Sequence, residues 1–259
     1  MGPVRELLRS GRQPISSLLI ERGRAERSKA DRSKADRSKA DRSGRIDGAG
    51  ELEAQARDKG IRVDYAEARE LEQMCGPGAV HQGVVATAGP FQYEAIEDLL
   101  PALSGREQPA LLVAIDGVTD PHNLGAIARS AYLLGADGLL LPRDRAAEVT
   151  AVATKSSAGA TEHLAICQVT NLARALGEVK DAGLWNAALA AGPEARPIGE
   201  LDATLPLCVV VGSEGRGLRQ LVARQCDYHI EIPMAAEAIG SFNVSVATAI
   251  ALYDIGRRR

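Results

Sequence analysis

Short apolar runs recur from residue 111 to residue 232 with longer helical periods between them, and this alternation constrains the fold more than any other feature. The runs at 111–115, 138–141, 164–167, 184–189, 207–211 and 228–232 are bounded like strands. Helical periods at 124–134, 147–158, 172–182, 218–225 and 244–257 alternate with them. Strands joined by helical crossovers run parallel, and helices then cover both faces of the sheet. An α/β domain with a parallel sheet is therefore expected over residues 109–259, with any ligand at the carboxyl ends of its strands.

Residues 1–88 have a different grain. Helical patterns at 3–10, 51–59 and 66–74 alternate with strand-like segments at 17–20, 61–63 and 81–86, which reads as a smaller α/β domain. Its middle is interrupted. From Ala25 to Ser43 the chain repeats every five residues, with Arg27, Arg32, Arg37 and Arg42 each followed by serine. A step of five turns roughly 500° around a helix, so no apolar face forms. A solvated, disordered insertion over 25–50 is expected, and a basic arm that grasps RNA is the sharper alternative. Residues 89–108 carry two prolines, with a third at Pro109, a short acidic helix near 94–100 and a polar run, the composition of a linker.

Charge is divided along the chain. The net charge of −3 conceals a front segment, residues 1–45, with 13 basic and 6 acidic residues, net +7. The remaining 18 basic and 28 acidic residues leave −10. Aromatic side chains are only 3% of the chain, so contact with RNA would be polar and basic and would not rest on stacked bases. Cys75, Cys167, Cys208 and Cys226 are scattered without a C-x-x-C pair, so neither a zinc site nor a disulfide framework is expected. No apolar stretch reaches the ~20 residues of a membrane span, and the charged start does not resemble a signal peptide. A cytoplasmic protein is the expectation.

Three blocks at predicted strand ends carry polar groups. The first runs from Asp116 through Asp120-Pro-His-Asn-Leu-Gly125 to Arg129 and enters a helix, with Asp120 or Asn123 placed to cap it. Asn123 and Arg129 are six residues apart, roughly 120° off one helical face, and they converge only if Asn123 lies in the turn. The second, Gly212-Ser-Glu-Gly-Arg-Gly217, follows an apolar strand; its glycines allow a close backbone approach, but their order is neither a dinucleotide fingerprint nor a Walker loop. The third runs from Ile232-Pro-Met to Ser241-Phe-Asn-Val-Ser-Val-Ala247 and sets Ser241 and Asn243 at a helix mouth, where free N–H groups suit an anionic or hydroxyl partner. Each block alone is equally a capped helix start or a glycine turn.

Together, in this order and spacing, the blocks resemble the SpoU family of RNA ribose methyltransferases, within the SPOUT superfamily. Gly78-Ala-Val-His-Gln-Gly-Val-Val85 extends the likeness upstream, toward the branch that methylates a guanosine of large-subunit ribosomal RNA. The resemblance implies transfer of a methyl group from S-adenosylmethionine to a ribose 2'-hydroxyl of 23S rRNA. It also implies a trefoil knot in the catalytic domain, a homodimer whose interface helps build the active sites, and an L30e-like N-terminal domain that recognises RNA. It assigns Arg129, Asn123, Glu214, Ser241 and Asn243 to catalysis and Gly212, Ile232 and Phe242 to the cofactor pocket. No metal is implied. The chain departs from the family pattern in a loop between Met234 and Ser241 that is one residue longer than usual, and in Phe242 where leucine is commoner.

A protonated guanidinium has no acceptor, so Arg129 is read as a clamp on an adjacent phosphate or a stabiliser of developing alkoxide. His122 is the alternative proton acceptor. The rival substrates are tRNA and the rRNA targets of resistance-type enzymes; an inert RNA-binding assembly factor is the non-enzymatic rival. A nicotinamide oxidoreductase is disfavoured because Asp116-Gly-Val follows the first strand of the second domain where a glycine fingerprint is needed.

Overall fold

The computed structural model describes residues 1–23, 48–76, 80–213, 215–235 and 241–259. The five-residue repeats, Glu214 and most of the loop from Met234 to Ser241 lie outside the described residues. Two compact units are present, Met1–Gln92 and Tyr93–Arg259.

The first unit contains α1 (Gly2–Ser10), β1 (Ile15–Glu21), α2 (Gly48–Asp58), β2 (Arg62–Ala66), α3 (Ala68–Cys75) and β3 (Val84–Ala88). Its three strands are ordered β2-β1-β3, with β1 parallel to β2 and antiparallel to β3. Alternation in β1 buries Leu18 and Ile20 among Leu8, Leu52, Ala56 and Val84, while the strand's other residues stay partly exposed. Residues 48–50, read as the end of the insertion, instead open α2, and Ala49 and Gly50 are buried.

The second unit contains α4 (Ile96–Leu103), β4 (Leu111–Asp116), α5 (Pro121–Leu133), β5 (Gly138–Pro142), α6 (Ala151–Ser156), β6 (Ala165–Val169), α7 (Leu172–Asp181), β7 (Trp185–Leu189), β8 (Arg196–Pro197), β9 (Leu207–Gly212), α8 (Gln220–Ala223), β10 (Tyr228–Glu231) and α9 (Val244–Arg258). The seven-stranded sheet is ordered β6-β5-β4-β9-β7-β10-β8, and every adjacent pair is parallel. All six residues of β4 are buried, as a strand with both faces covered requires. The chain winds outward from β4 through β5 to β6 and returns on the other side, so the order of strand addition switches between β4 and β9 while all strands stay parallel. Crevices at the carboxyl ends of such sheets are where ligands bind.

Several local expectations change. The segment read as a linker contains α4, and its Ile96, Leu99, Leu100 and Leu103 are buried in the same core as Leu112, Leu140 and Leu176. The acidic composition of its first turn had pointed to solvent, but the opposite face of the helix is apolar. Helix α6 starts four residues later than its apolar period because Thr150 caps it, and Ala147 instead donates its N–H to the Val118 carbonyl at 2.8 Å. Asp120, not Asn123, caps α5: its carboxylate accepts from the His122 N–H at 2.9 Å, and Pro121 takes the first helical position, where no N–H is missed. Asn123 is therefore inside the helix, and the convergence with Arg129 that a capping Asn123 would have provided is not made along α5.

Candidate active site

The carboxyl ends of β7, β9 and β10 and the start of α9 enclose a cleft of about 430 Å³. Leu189 to Ala191 line one wall, and Gly212, Ser213, Gly215 and Gly217 another. Ile232, Met234, Ser241, Phe242 and Val244 close the third side. The volume is in the range of small-ligand sites, and the lining is mostly apolar with a few polar groups, Ser213, Glu231 and Ser241 among them. A smaller hollow of about 170 Å³ lies beside it, formed by residues 190–195 and His229. It contains none of the residues of the three motif blocks.

The glycine block folds back on the end of its own strand. Ser213 and Gly217 exchange backbone hydrogen bonds at 2.9 and 3.2 Å, and Gly215 and Gly217 adopt positive φ. A Cβ on Gly212 would lie 2.3 Å from the Gly217 carbonyl carbon, a backbone atom that cannot move aside. Glycine at 212 is thus required by the return of the loop. The block is also fastened from below. Asp116, at the end of β4 and 1% exposed, accepts from the Arg219 N–H at 2.8 Å, and its other oxygen receives the Arg219 guanidinium at 2.6 Å.

The first and third blocks meet. Asn243 caps α9, its Oδ1 accepting from the Ser245 N–H at 2.9 Å and hydroxyl at 2.6 Å, while its Nδ2 donates to Asn123 Oδ1 at 3.1 Å. The cap and the contact between blocks are made by one side chain. Helix α5 reaches this position because Gly125 packs closely on α6; a Cβ there would stand 1.9 Å from Ser156 Oγ and 2.4 Å from the Ala153 carbonyl.

Of the residues singled out from the sequence, Gly212, Ile232, Ser241 and Phe242 line the cleft, and Asn123 and Asn243 touch each other. Arg129 is exposed on α5, does not line the cleft, and its side chain makes no hydrogen bond or ion pair among the described residues. Glu214 lies outside them. Sequence reasoning missed Leu189 to Ala191, whose only signal was their position at the end of a parallel strand. It also missed Arg219, which no local pattern marks; its partner is 103 residues away.

Three of the four thiols are held in the protonated form by burial. Burial pushes Cys167 and Cys226 up to about 12, with nearby carboxylates adding to the shift, and raises Cys208 further, so all three stay protonated at neutral pH. Among the described residues no group of three or more His, Cys, Asp or Glu is placed to hold a metal ion, and no helix is long and apolar enough to cross a membrane.

Residues 110–253 match the model of the SpoU rRNA methylase family, and residues 2–94 match that of the RNA 2'-O ribose methyltransferase substrate-binding domain. The chain is 42% identical over 208 residues to the 23S rRNA (guanosine-2'-O-)-methyltransferase RlmB of Photobacterium profundum, covering 80% of this chain and 83% of the relative. It is 38% identical over 204 residues to YacO of Bacillus subtilis, described as a TrmH family tRNA/rRNA methyltransferase, covering 79% and 80%. In fold it is similar to the SpoU methyltransferase AviRb of Streptomyces viridochromogenes, solved in complex with AdoMet. That likeness has a TM-score of 0.74 at 24% identity, over 99% of this chain and 87% of that one. The chain belongs to the SpoU methylase family of RNA methyltransferases.

Proposed function

We propose that the protein transfers a methyl group from S-adenosylmethionine to the ribose 2'-hydroxyl of a guanosine in 23S rRNA. The observation that carries this reading is the convergence of three separate blocks on one carboxyl edge, where Gly212, Ile232, Ser241 and Phe242 line a single cleft and Asn123 meets Asn243. The cleft fits the cofactor: it is large enough, the glycines leave one wall as bare backbone, and its walls are apolar enough for an adenosyl group. When bound, the cofactor supplies a methyl carbon already activated by its sulfonium. The protein has only to align the attacking oxygen and take up its proton, and alignment of this kind supplies ~7–11 kcal/mol in well-oriented systems.

In this reading Gly212, Ile232 and Phe242 hold the cofactor. Asn123, Ser241, Asn243 and Glu214 order the ribose edge, and Arg129 clamps a phosphate or stabilises the developing alkoxide. We infer further that the protein acts as a homodimer. Arg129 is exposed outside the cleft of its own chain, and α5 and α9 also expose Tyr132, Leu133, Val246 and Tyr253, an apolar set suited to a second copy. The trefoil knot and the RNA-recognition role of the first unit belong to the same reading, supported by the family-model matches over both units. The identity to the guanosine methyltransferase favours rRNA over tRNA.

The test is to incubate the protein with methyl-labelled S-adenosylmethionine and unmodified 23S rRNA or tRNA, then map the methylated ribose. Label on one 23S guanosine is the expected outcome. Label on tRNA moves the protein to the sister branch. Cofactor binding without transfer to either RNA contradicts the enzymatic reading of these substrates.

A further inference from the structure

The Asp116–Arg219 pair lies outside the cleft, yet it holds both ends of the loop that forms one cleft wall. Asp116 is paired in register with Gly212, the last residue of β9, and Arg219 follows the loop on its far side. Between these points Ser213 and Gly217 close the loop on itself, and Gly212 leaves no room for even a methyl group against Gly217. The carboxylate is buried and receives three donors from one residue: the Arg219 backbone N–H on one oxygen, and Nε and Nη2 on the other. A buried carboxylate with fixed donors tolerates little displacement, because each lost bond leaves desolvated charge without a partner. Ordinary helix capping does not account for the arrangement. Helix α8 spans only Gln220–Ala223, and the Asp116 side chain reaches it from another strand.

We propose that Asp116 and Arg219 are positioning residues for the cofactor: the pair sets the height of the Gly212–Gly217 wall over the sheet, and with it the fit of the adenosyl group. The proposal rests on the cofactor reading above. It assigns Arg219 a role in ligand affinity although Arg219 does not line the cleft. The position is a demanding one for arginine. Lysine keeps the charge but lacks the planar fork that places two donors on one oxygen while the backbone donates to the other.

The experiment is calorimetric titration with S-adenosylhomocysteine, together with hydrogen exchange of the ligand-free protein, on the full chain and on the Arg219→Leu, Arg219→Lys, Asp116→Asn and doubly substituted Asp116→Asn/Arg219→Leu variants. Affinity is expected to fall at least tenfold in Arg219→Leu and in Asp116→Asn, less in Arg219→Lys, and no further in the double variant than in the weaker single, because both substitutions release the same loop. Exchange at Ser213, Gly215, Gly217 and Leu218 should quicken at least tenfold while the amides of β5 and β6 keep their rates. Unchanged affinity and loop exchange overturn the proposal. Uniform acceleration through β4, β5 and β6 also overturns it, since the pair would then be general structural support. Should the native protein fail to bind S-adenosylhomocysteine, the cofactor reading falls, while the loop exchange rates still decide whether the clamp exists. Arg219→Leu leaves the strand residue Asp116 in place and serves if Asp116→Asn does not fold.

Discussion

Both units carry simple ion pairs, Arg5–Glu51 in the first and Arg174–Glu178 in the second, but the second also uses arginines to tie distant segments together. In the first, basic side chains pair with single carboxylates: Arg5 with Glu51, Arg57 with Glu53, Arg22 with Glu67 and Arg62 with Asp64. In the second, Arg219 is spent on a buried carboxylate, Arg259 on four backbone carbonyls, and Arg129 is left without a partner among the described residues. Exposed pairs contribute little to stability, whereas an arginine that reaches a buried carboxylate or several backbone carbonyls ties together segments distant in the chain. The second unit is thus the one whose geometry depends on single side chains.

Gly212→Ala should produce the largest effect on the cleft. The new Cβ would sit 2.3 Å from backbone that cannot yield, so the loop or the end of β9 must move, at about 3 kcal/mol, the upper part of the overpacking range. Thermal unfolding of the second unit should fall accordingly, and affinity for S-adenosylhomocysteine should be lost. Retained affinity would break the link between this loop and the cleft.

Leu18→Ala sharpens the comparison from the other side. Leu18 is fully buried in the core of the first unit, and its truncation should cost about 2–5 kcal/mol. The first unit should unfold more readily in denaturant while calorimetric cofactor affinity stays the same. A parallel loss of affinity would mean that the units do not keep separate cores.

Arg259→Ala removes the donors to Pro109, Ala110, Ala203 and Leu205, which tie the start of β4 to the segment before β9. Arg259 is exposed, so solvent screens these bonds, and the expected loss is about 1 kcal/mol, which denaturant titration would measure. The smallest effect belongs to Arg62→Ala. Its pair with Asp64 is exposed, so stability should change by less than about 1 kcal/mol. A larger change would show that charge on the first unit's surface is more than locally balanced.

The fold of the second unit was legible because its strands β4, β5 and β9 are buried on both faces, and unbroken apolar runs survive in the sequence as such. The run at 207–211 became β9 with one added residue, Gly212. A short helix was expected near 94–100, but its place in the core was not, because its acidic first turn and prolines suggested a linker and the four residues that bury it recur over too short a stretch to stand out. The motif blocks gave the cleft through Gly212, Ile232, Ser241 and Phe242. The contact of Asn243 with Asn123 spans 120 residues and the Asp116–Arg219 clamp 103, and neither separation leaves a local pattern. Capping was ambiguous for a physical reason. Asp and Asn are equally good caps, and only the position of Pro121 in the first turn decides for Asp120.

The central claim is that the cleft at the ends of β7, β9 and β10 is the cofactor site. A crystal structure with S-adenosylhomocysteine bound tests it most directly. The account predicts the ligand against Gly212, Ile232 and Phe242, with Asn123 and Asn243 still in contact beside it. Ligand seated instead in the smaller hollow by His229, or anywhere away from the glycine loop, would contradict it.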